Sequence, residues 1–412
     1  MPSYKEVVQK FYSLYDPMTS DRTLIDFERR ENGWWVQPFG YADGKRVLGT
    51  RVLFWSKGTR KYRELKFAHA TEPLDWENYV DTVSLYEFSV HPYYGYNGWY
   101  NDVIKYYNSI KNLNDTMLFS LGRAYTYRAL CMFYPNPDAA DKDAFALALT
   151  RNCASDVQLN AFKKQMLTGI GYLKKLLNKN PNFQTRWGSI YVKYCNDLMW
   201  VYQFTLQYKN EQYAAKELRD SLYPNYLLNA SRDILNSCDS NSILISFDDN
   251  DYYPLLYLQA HEKLRTDVYL LAYNGFCVDR YISFLPYPQF VAGAIKLSFD
   301  TSFYKGSRND VVIFGYDTAH ILYRQLINDL RNNVSNTYPQ FSSMNLEMTD
   351  GKIIPIGTHY LTKCQLIFLD ILDNESMRPI YLTRELGDFT GMNQFVSQHK
   401  KVWQIQKSSR LN

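Results

Sequence analysis

Two short apolar runs, Ser242-Ile243-Leu244-Ile245-Ser246-Phe247 and Asp267-Val268-Tyr269-Leu270-Leu271-Ala272, lie either side of one helix-length segment, Tyr253–Leu264. Strands with no polar face must be covered on both sides, so they belong inside a parallel sheet flanked by helices. The strand–helix–strand spacing matches one βαβ unit. Further strands are expected at Asp310–Phe314, Lys352–Ile356 and Pro379–Leu382, with helices at about 317–331, 359–373 and 391–400. Residues 236–412 therefore read as an α/β domain with a partly parallel sheet.

The front of the chain has a different grammar. After a short amphipathic helix at 3–15, β-like runs at Trp34–Val36, Arg51–Trp55 and Tyr62–Phe67 are punctuated by Gly33, Gly40, Gly44 and Gly58. They predict a small antiparallel sheet within a region 1–100, followed by an aromatic loop at 88–100. From about 101 to 235 the apolar period becomes helical. Helices are expected at 101–110, 115–133, 155–177, 186–208 and 222–237. With Gly122, Ala124 and Ala129 at close-packing positions, they form either an irregular bundle or tetratricopeptide-like hairpins, without a clean repeat register. The whole is a mixed α+β chain in three regions, 1–100, 101–235 and 236–412.

Composition narrows the function. The 412 residues carry 46 basic and 42 acidic side chains, a net charge of +4, which argues against a dedicated nucleic-acid binder. No apolar run is long enough to span a bilayer, and Lys5, Glu6 and Lys10 occupy the place of a signal peptide's apolar stretch. On that ground alone the compartment is cytoplasmic, unless a leader has been removed. Six scattered cysteines, at 131, 153, 195, 238, 277 and 364, show no zinc spacing and read as isolated, mostly buried thiols. Sequons begin at Asn114, Asn229 and Asn333, and they matter only in a secretory context.

The one chemistry-like constellation is the acidic turn Asp248-Asp249-Asn250-Asp251 at the carboxyl end of the first apolar strand, where ligands of α/β sheets bind. Three crowded carboxylates need a cation, a basic residue or backbone donors. Asp249-Asn250-Asp251 has the Asp-x-Asp form that holds a divalent cation against a diphosphate. The competing reading is a cap for the following helix. Arg265 and Asp267 before the second strand, and Arg378 before the last, are candidates for the same cleft, with helix capping and salt bridging as the structural alternatives. No other cofactor is predicted, and the six histidines form no metal motif. The glycines of Thr168-Gly169-Ile170-Gly171 follow no strand, so close helix packing explains both better than a phosphate loop.

Aromatic residues make up 17% of the chain, and five of its eight tryptophans precede residue 100. Trp34, Trp35, Trp55 and Trp99 are the candidate contact surface for a protein or glycan partner. Packing in a loop-rich core is the alternative.

The segment Ile243 to Gln259 with its Phe247-Asp248-Asp249-Asn250-Asp251 turn, then Arg265-Thr266-Asp267-Val268, Arg378-Pro379-Ile380-Tyr381 and Gly391-Met392-Asn393-Gln394-Phe395, resembles the soluble C-terminal region of bacterial protein O-mannosyltransferase-like multi-span membrane proteins. The resemblance covers about 225–405. It departs from the family pattern where Asp248 replaces a glycine, Tyr252 a threonine and Thr266 a proline, and the membrane-spanning half is missing. It implies the order of α/β elements, a Bacteroidetes-like source and an envelope or periplasmic setting. It does not carry glycosyl transfer. Two functions stay open: a soluble binding or assembly protein, carbohydrate- or envelope-related, and a carbohydrate-active enzyme, transferase-like or hydrolase, acting through 248–251.

Overall fold

The computed structural model describes residues 1–14, 24–30, 33–42, 45–48, 51–57, 60–66, 99–133, 145, 152–185, 187–299, 312–313, 320–331, 344–356, 360–361, 363–375, 377–386 and 392–406. The chain divides into two compact units, one of Met1–Leu147 with Ser155–Asp197, the other of Ala148–Ala154 with Leu198–Asn412.

In the first unit, α1 (Tyr4–Leu14) precedes five antiparallel strands, β1 (Leu24–Arg30), β2 (Gly33–Ala42), β3 (Lys45–Leu48), β4 (Arg51–Ser56) and β5 (Lys61–Lys66). They run in the order β1-β2-β4-β5, with β3 also on β2. Period-two alternation decides which rings go inside. Trp34 pairs across the sheet with Trp55, and Trp35 with Phe54. Trp34 and Trp55 join Val36, Leu53 and Phe27 in a core shared with Val7, Val8 and Phe11 of α1. The Trp34 indole also donates to the Pro2 carbonyl at 3.0 Å. Trp99 is buried in the same core. Three of the four candidate contact tryptophans are therefore core residues. Trp35 alone sits half-buried on the opposite sheet face, 4.7 Å from the Phe54 ring. The aromatic loop expected at 88–100 lies outside the described residues up to 98.

Helices α2 (Trp99–Tyr107), α3 (Asp115–Phe133) and α4 (Asp156–Lys179) complete this unit, with the short strands β6 (Gln184–Thr185) and β7 (Gly188–Ser189) leading to α5 (Ile190–Tyr208). The division between units falls within α5. Ser155 and Gln158 form a reciprocal capping box that fixes the start of α4. α3 and α4 approach closely at glycines: a methyl on Gly169 would lie 2.6 Å from the Gly122 carbonyl and 2.9 Å from the Thr126 nitrogen. Gly171 faces open space, so the packing explanation holds for Gly169 and not for Gly171.

The second unit continues with α6 (Glu211–Ala214), α7 (Asn225–Ser237), β8 (Ile243–Ser246), α8 (Asp249–Glu262), β9 (Tyr269–Ala272), α9 (Asp279–Ile282), β10 (Val312–Ile313), β11 (His320–Leu322) and α10 (Tyr323–Arg331). After them come β12 (Met344–Glu347), β13 (Ile353–Ile356), β14 (Tyr360–Leu361), α11 (Lys363–Asn374), β15 (Ile380–Leu382), β16 (Val396–His399) and β17 (Val402–Ile405). The main sheet has the order β16-β17-β15-β8-β9. β15, β8 and β9 are parallel, while β17 and β16 are antiparallel additions. Ile243, Ile245, Leu271 and Leu382 face a core with Ile367, Phe368 and Ile371 of α11. Leu244, Leu270 and Tyr381, on the other face, are also buried. Both faces are covered, as strands without polar positions require.

Two expected helices change. The one at 317–331 shortens because His320–Leu322 pairs with Asn345–Glu347 as a strand. The one at 391–400 is a short turn followed by β16, because Val396–His399 finds a ladder on β17. Lys400 closes that hairpin at a positive φ of 53°, the backbone twist a tight hairpin needs.

Candidate functional site

Parallel strands separate the candidate residues. Ile380, Ile243 and Tyr269 stand side by side at the starts of β15, β8 and β9. Whatever precedes these strands shares one sheet edge, and whatever follows shares the other. Strands of this length put roughly 10–13 Å between the edges. Arg265, Asp267 and Arg378 lie at the amino edge, and the turn 248–251 lies at the carboxyl edge.

At the amino edge Arg265 grips Asp267 with two bonds, at 2.9 and 3.0 Å. It also donates to the carbonyls of Leu235, Cys238 and Asp239 at 2.7–2.9 Å. Asp267 accepts from the Asn241 amide at 3.1 Å. Arg378 donates to the Asn241 carbonyl at 3.1 Å and the Gly293 carbonyl at 3.2 Å. The two arginines thus fix the chain where it enters β8, through its own peptide groups. The fork from Arg265 holds the Asp267 carboxyl below the usual carboxylate range.

At the carboxyl edge the acidic turn is the start of a helix. Asp248 is the N-cap of α8 and accepts from the Asn250 and Asp251 amides at 2.9 and 3.1 Å. Asp249, Asn250 and Asp251 occupy the first helical turn, where negative charge meets the positive end of the helix dipole. Asp251 accepts from the Thr383 hydroxyl at 3.1 Å. Arg384 stands 3.7 Å from Asp248 and lies 5.1 Å from the centre of the Phe247 ring. The Asn274 amide donates to the Phe247 carbonyl at 2.6 Å. Burial, then the neighbouring Asp248 charge, raises the Asp251 carboxyl above the ordinary range.

This edge is a topological switch point. The chain leaves β8 toward β9 on one side, and the next strand reached from β15 within this sheet lies on the other, toward β16 and β17. A crevice at such a point is where open α/β sheets take ligands. Its groups can exchange hydrogen bonds with hydroxyls, and Asp251 is the one suited to hold a proton. Thr383, Arg384 and Asn274 are missing from the candidates read off the sequence. The signal for two of them was present: if β15 lies in register beside β8, the residues after Leu382 must lie beside those after Ser246.

Among the described residues, no group of three or more His, Cys, Asp or Glu side chains is placed to hold a metal ion. Among them too, no helix is long and apolar enough to cross a membrane. The cysteines are not six isolated thiols: Cys364 is disulfide-bonded. Cys131, Cys153, Cys195 and Cys238 remain thiols, and burial pushes those of Cys195 and Cys238 up to about 12.

The family described as TMEM260-associated domain 2 matches residues 228–355, under a third of the chain. No curated protein and no solved structure matches. The matched segment runs from α7 to β13 and lies within the C-terminal stretch of the resemblance. It contains the Asp248 cap, Arg265 and Asp267, and it ends before Arg378, Thr383 and Arg384. The chain's second unit is thus similar in part to the family described as TMEM260-associated domain 2.

Proposed function

We propose that the chain is a binding or assembly protein, carbohydrate- or envelope-related, whose partner is a protein or a glycan. The observation that carries this reading is the engagement of the polar residues. Asp248 holds backbone amides, and Arg265 and Arg378 hold backbone carbonyls. These groups order the parallel sheet and leave little for the turnover of a substrate. The similarity to TMEM260-associated domain 2 supports the envelope-related half of the proposal. The Cys364 disulfide supports a setting outside the reducing cytosol, the periplasm or the cell envelope.

The test is a glycan array and a nucleotide-sugar panel, with and without divalent cations, run on the full chain and on Asp248→Ala and Asp251→Asn. Capture without turnover, unchanged by Asp251→Asn, is the expected result. Sugar transfer or hydrolysis that Asp251→Asn abolishes, at unchanged melting temperature, would replace this reading with the enzymatic one. That second reading draws on the raised Asp251 carboxyl beside Asp248 at the switch point. A carboxyl raised by burial is the kind that serves as general acid at a glycosidic bond.

A further inference from the structure

Helices α2, α3 and α4 carry eight basic and three acidic side chains. That surplus of five exceeds the +4 of the whole chain, so positive charge is concentrated in this part of the first unit. Two of the three acids are engaged within the unit: Asp102 accepts from Arg29 at 2.7 Å, and Asp115 pairs with Lys179 at 2.9 Å. The third, Asp156, lies in the first turn of α4.

α4 turns its apolar side inward, where Leu159, Phe162, Met166, Ile170, Leu173 and Leu176 are buried. At about 3.6 residues per turn, the opposite side carries Val157, Lys164, Gly171 and Lys175 in one line about 27 Å long, flanked by Leu167 and Lys174. Lys164, Lys174 and Lys175 are exposed. Val157 is 79% exposed and Leu167 40%. A methyl on Gly171 would meet nothing within 4 Å, so the middle of the line is bare backbone. Lys175 lies 4.9 Å from the centre of the Tyr172 ring, and Lys164 and Lys174 meet no carboxylate among the described residues.

We propose that this face of α4 docks on an anionic membrane surface, with Lys164, Lys174 and Lys175 against the lipid phosphates and Val157 and Leu167 at the boundary of headgroups and acyl chains. The mixture selects the partner. Lysines around exposed apolar side chains suit an anionic bilayer interface, where both kinds of group gain. A nucleic acid or an acidic polysaccharide rewards only the charge and leaves Val157 and Leu167 in water. All five basic residues of α4 are lysines, and none is the arginine that holds a phosphate with two parallel bonds. Gly171 at the centre lets a flat surface approach the helix closely. The docking is independent of the protein or glycan partner and of the switch-point crevice, which lies in the second unit.

The test is co-sedimentation of the full chain with vesicles of equal parts phosphatidylglycerol and phosphatidylcholine, against pure phosphatidylcholine, at low and at physiological salt. The expected result is binding to the anionic vesicles only, weakened by salt. Lys164→Gln, Lys174→Gln and Lys175→Gln combined should lower the partition about a hundredfold, since each lysine near such a surface contributes about fivefold. Lys164→Arg, Lys174→Arg and Lys175→Arg combined should keep it. Val157→Ser with Leu167→Ser should lower it too, at unchanged melting temperature. No sedimentation with the anionic vesicles would overturn the proposal, as would equal binding to the neutral ones or a triple glutamine variant that binds like the unmodified chain. RNA or a sulfated polysaccharide that displaces the vesicles, with Val157 and Leu167 dispensable, would also overturn it, as would a dimer that the glutamine substitutions dissociate. The lipid selectivity of the unmodified chain decides if a variant does not fold.

Discussion

The Thr383 hydroxyl donates to an Asp251 oxygen across 3.1 Å, joining two residues 132 positions apart where parallel strands end. This contact favours the carboxylate, yet burial and the Asp248 charge outweigh it, and the Asp251 carboxyl is raised. A carboxyl raised in the folded state holds its proton where the unfolded chain has lost it. Stability therefore falls as pH rises from the ordinary carboxylate value of about 4 to the raised one, and levels off above it. Asp251→Asn should flatten that fall, because the amide oxygen can still accept from Thr383. Urea melts from pH 4 to pH 7 on both proteins measure this. A residual slope is expected from Asp370, whose carboxyl is raised by burial beneath the Ser298 and Tyr323 donors. An unchanged slope in Asp251→Asn would remove Asp251 as its source.

Asp248→Ala should cost about 0.5–2 kcal/mol, the usual loss for an N-cap carboxylate. Asp248→Ser, which can still accept from the amides at 250 and 251, should recover most of it. Chemical denaturation of the three proteins reads this directly. Loss of equal size in Ala and Ser would mean that the cap is not what Asp248 contributes.

The legibility of this fold has a physical boundary. Strands β8, β9 and β15 were visible because residues buried on both faces have to be apolar, and Ile243–Ile245, Tyr269–Leu271 and Ile380–Leu382 are. Both edges of the sheet were visible as charge beside an apolar run. What the linear order conceals is which edge each charge occupies, since Arg265 and Arg378 precede strands and Asp248 follows one. Only the parallel register of Ile380 with Ile243 and Tyr269 separates them. The strand Val396–His399 was hidden for a similar reason: its four residues carry little pattern of their own and become a strand through β17. The tryptophans show the reverse case, since the alternation that buries Trp34 and leaves Trp35 half-exposed can be read from neighbouring positions alone.

Arg265→Lys is expected to be disruptive although the charge is kept. A lysine ammonium cannot hold Asp267 with two bonds while reaching the carbonyls of Leu235, Cys238 and Asp239. Leaving those acceptors short of donors should cost about 1–3 kcal/mol. Loosening of the entry to β8 should appear as faster amide exchange at Ile243 and Tyr269. Protection unchanged at both amides would show that the fork does not anchor this edge.

Reducing the Cys364 disulfide should lower stability by about 2–4 kcal/mol. A peptide map without reductant should find Cys364 in a cross-linked peptide. Cys195 and Cys238, buried and with thiols pushed up to about 12, should resist iodoacetamide until the chain unfolds. Alkylation of Cys364 in the native, unreduced protein would remove the support for an oxidising compartment.

Two glycines separated by one residue, Ile170, give the sharpest contrast in the first unit. A methyl on Gly169 would meet the Gly122 carbonyl at 2.6 Å and the Thr126 nitrogen at 2.9 Å, and backbone atoms cannot swing aside as a side chain can. Gly169→Ala must push α3 and α4 apart, at a cost of about 1–3 kcal/mol. A methyl on Gly171 meets nothing within 4 Å. Gly171→Ala removes backbone entropy from the unfolded chain inside a helix, and should stabilise by about 0.4–1 kcal/mol. Thermal melts of the two variants should therefore shift in opposite directions. A shift of the same sign in both would mean that the close approach of α3 and α4 at Gly122 and Gly169 is not the contact that sets their spacing.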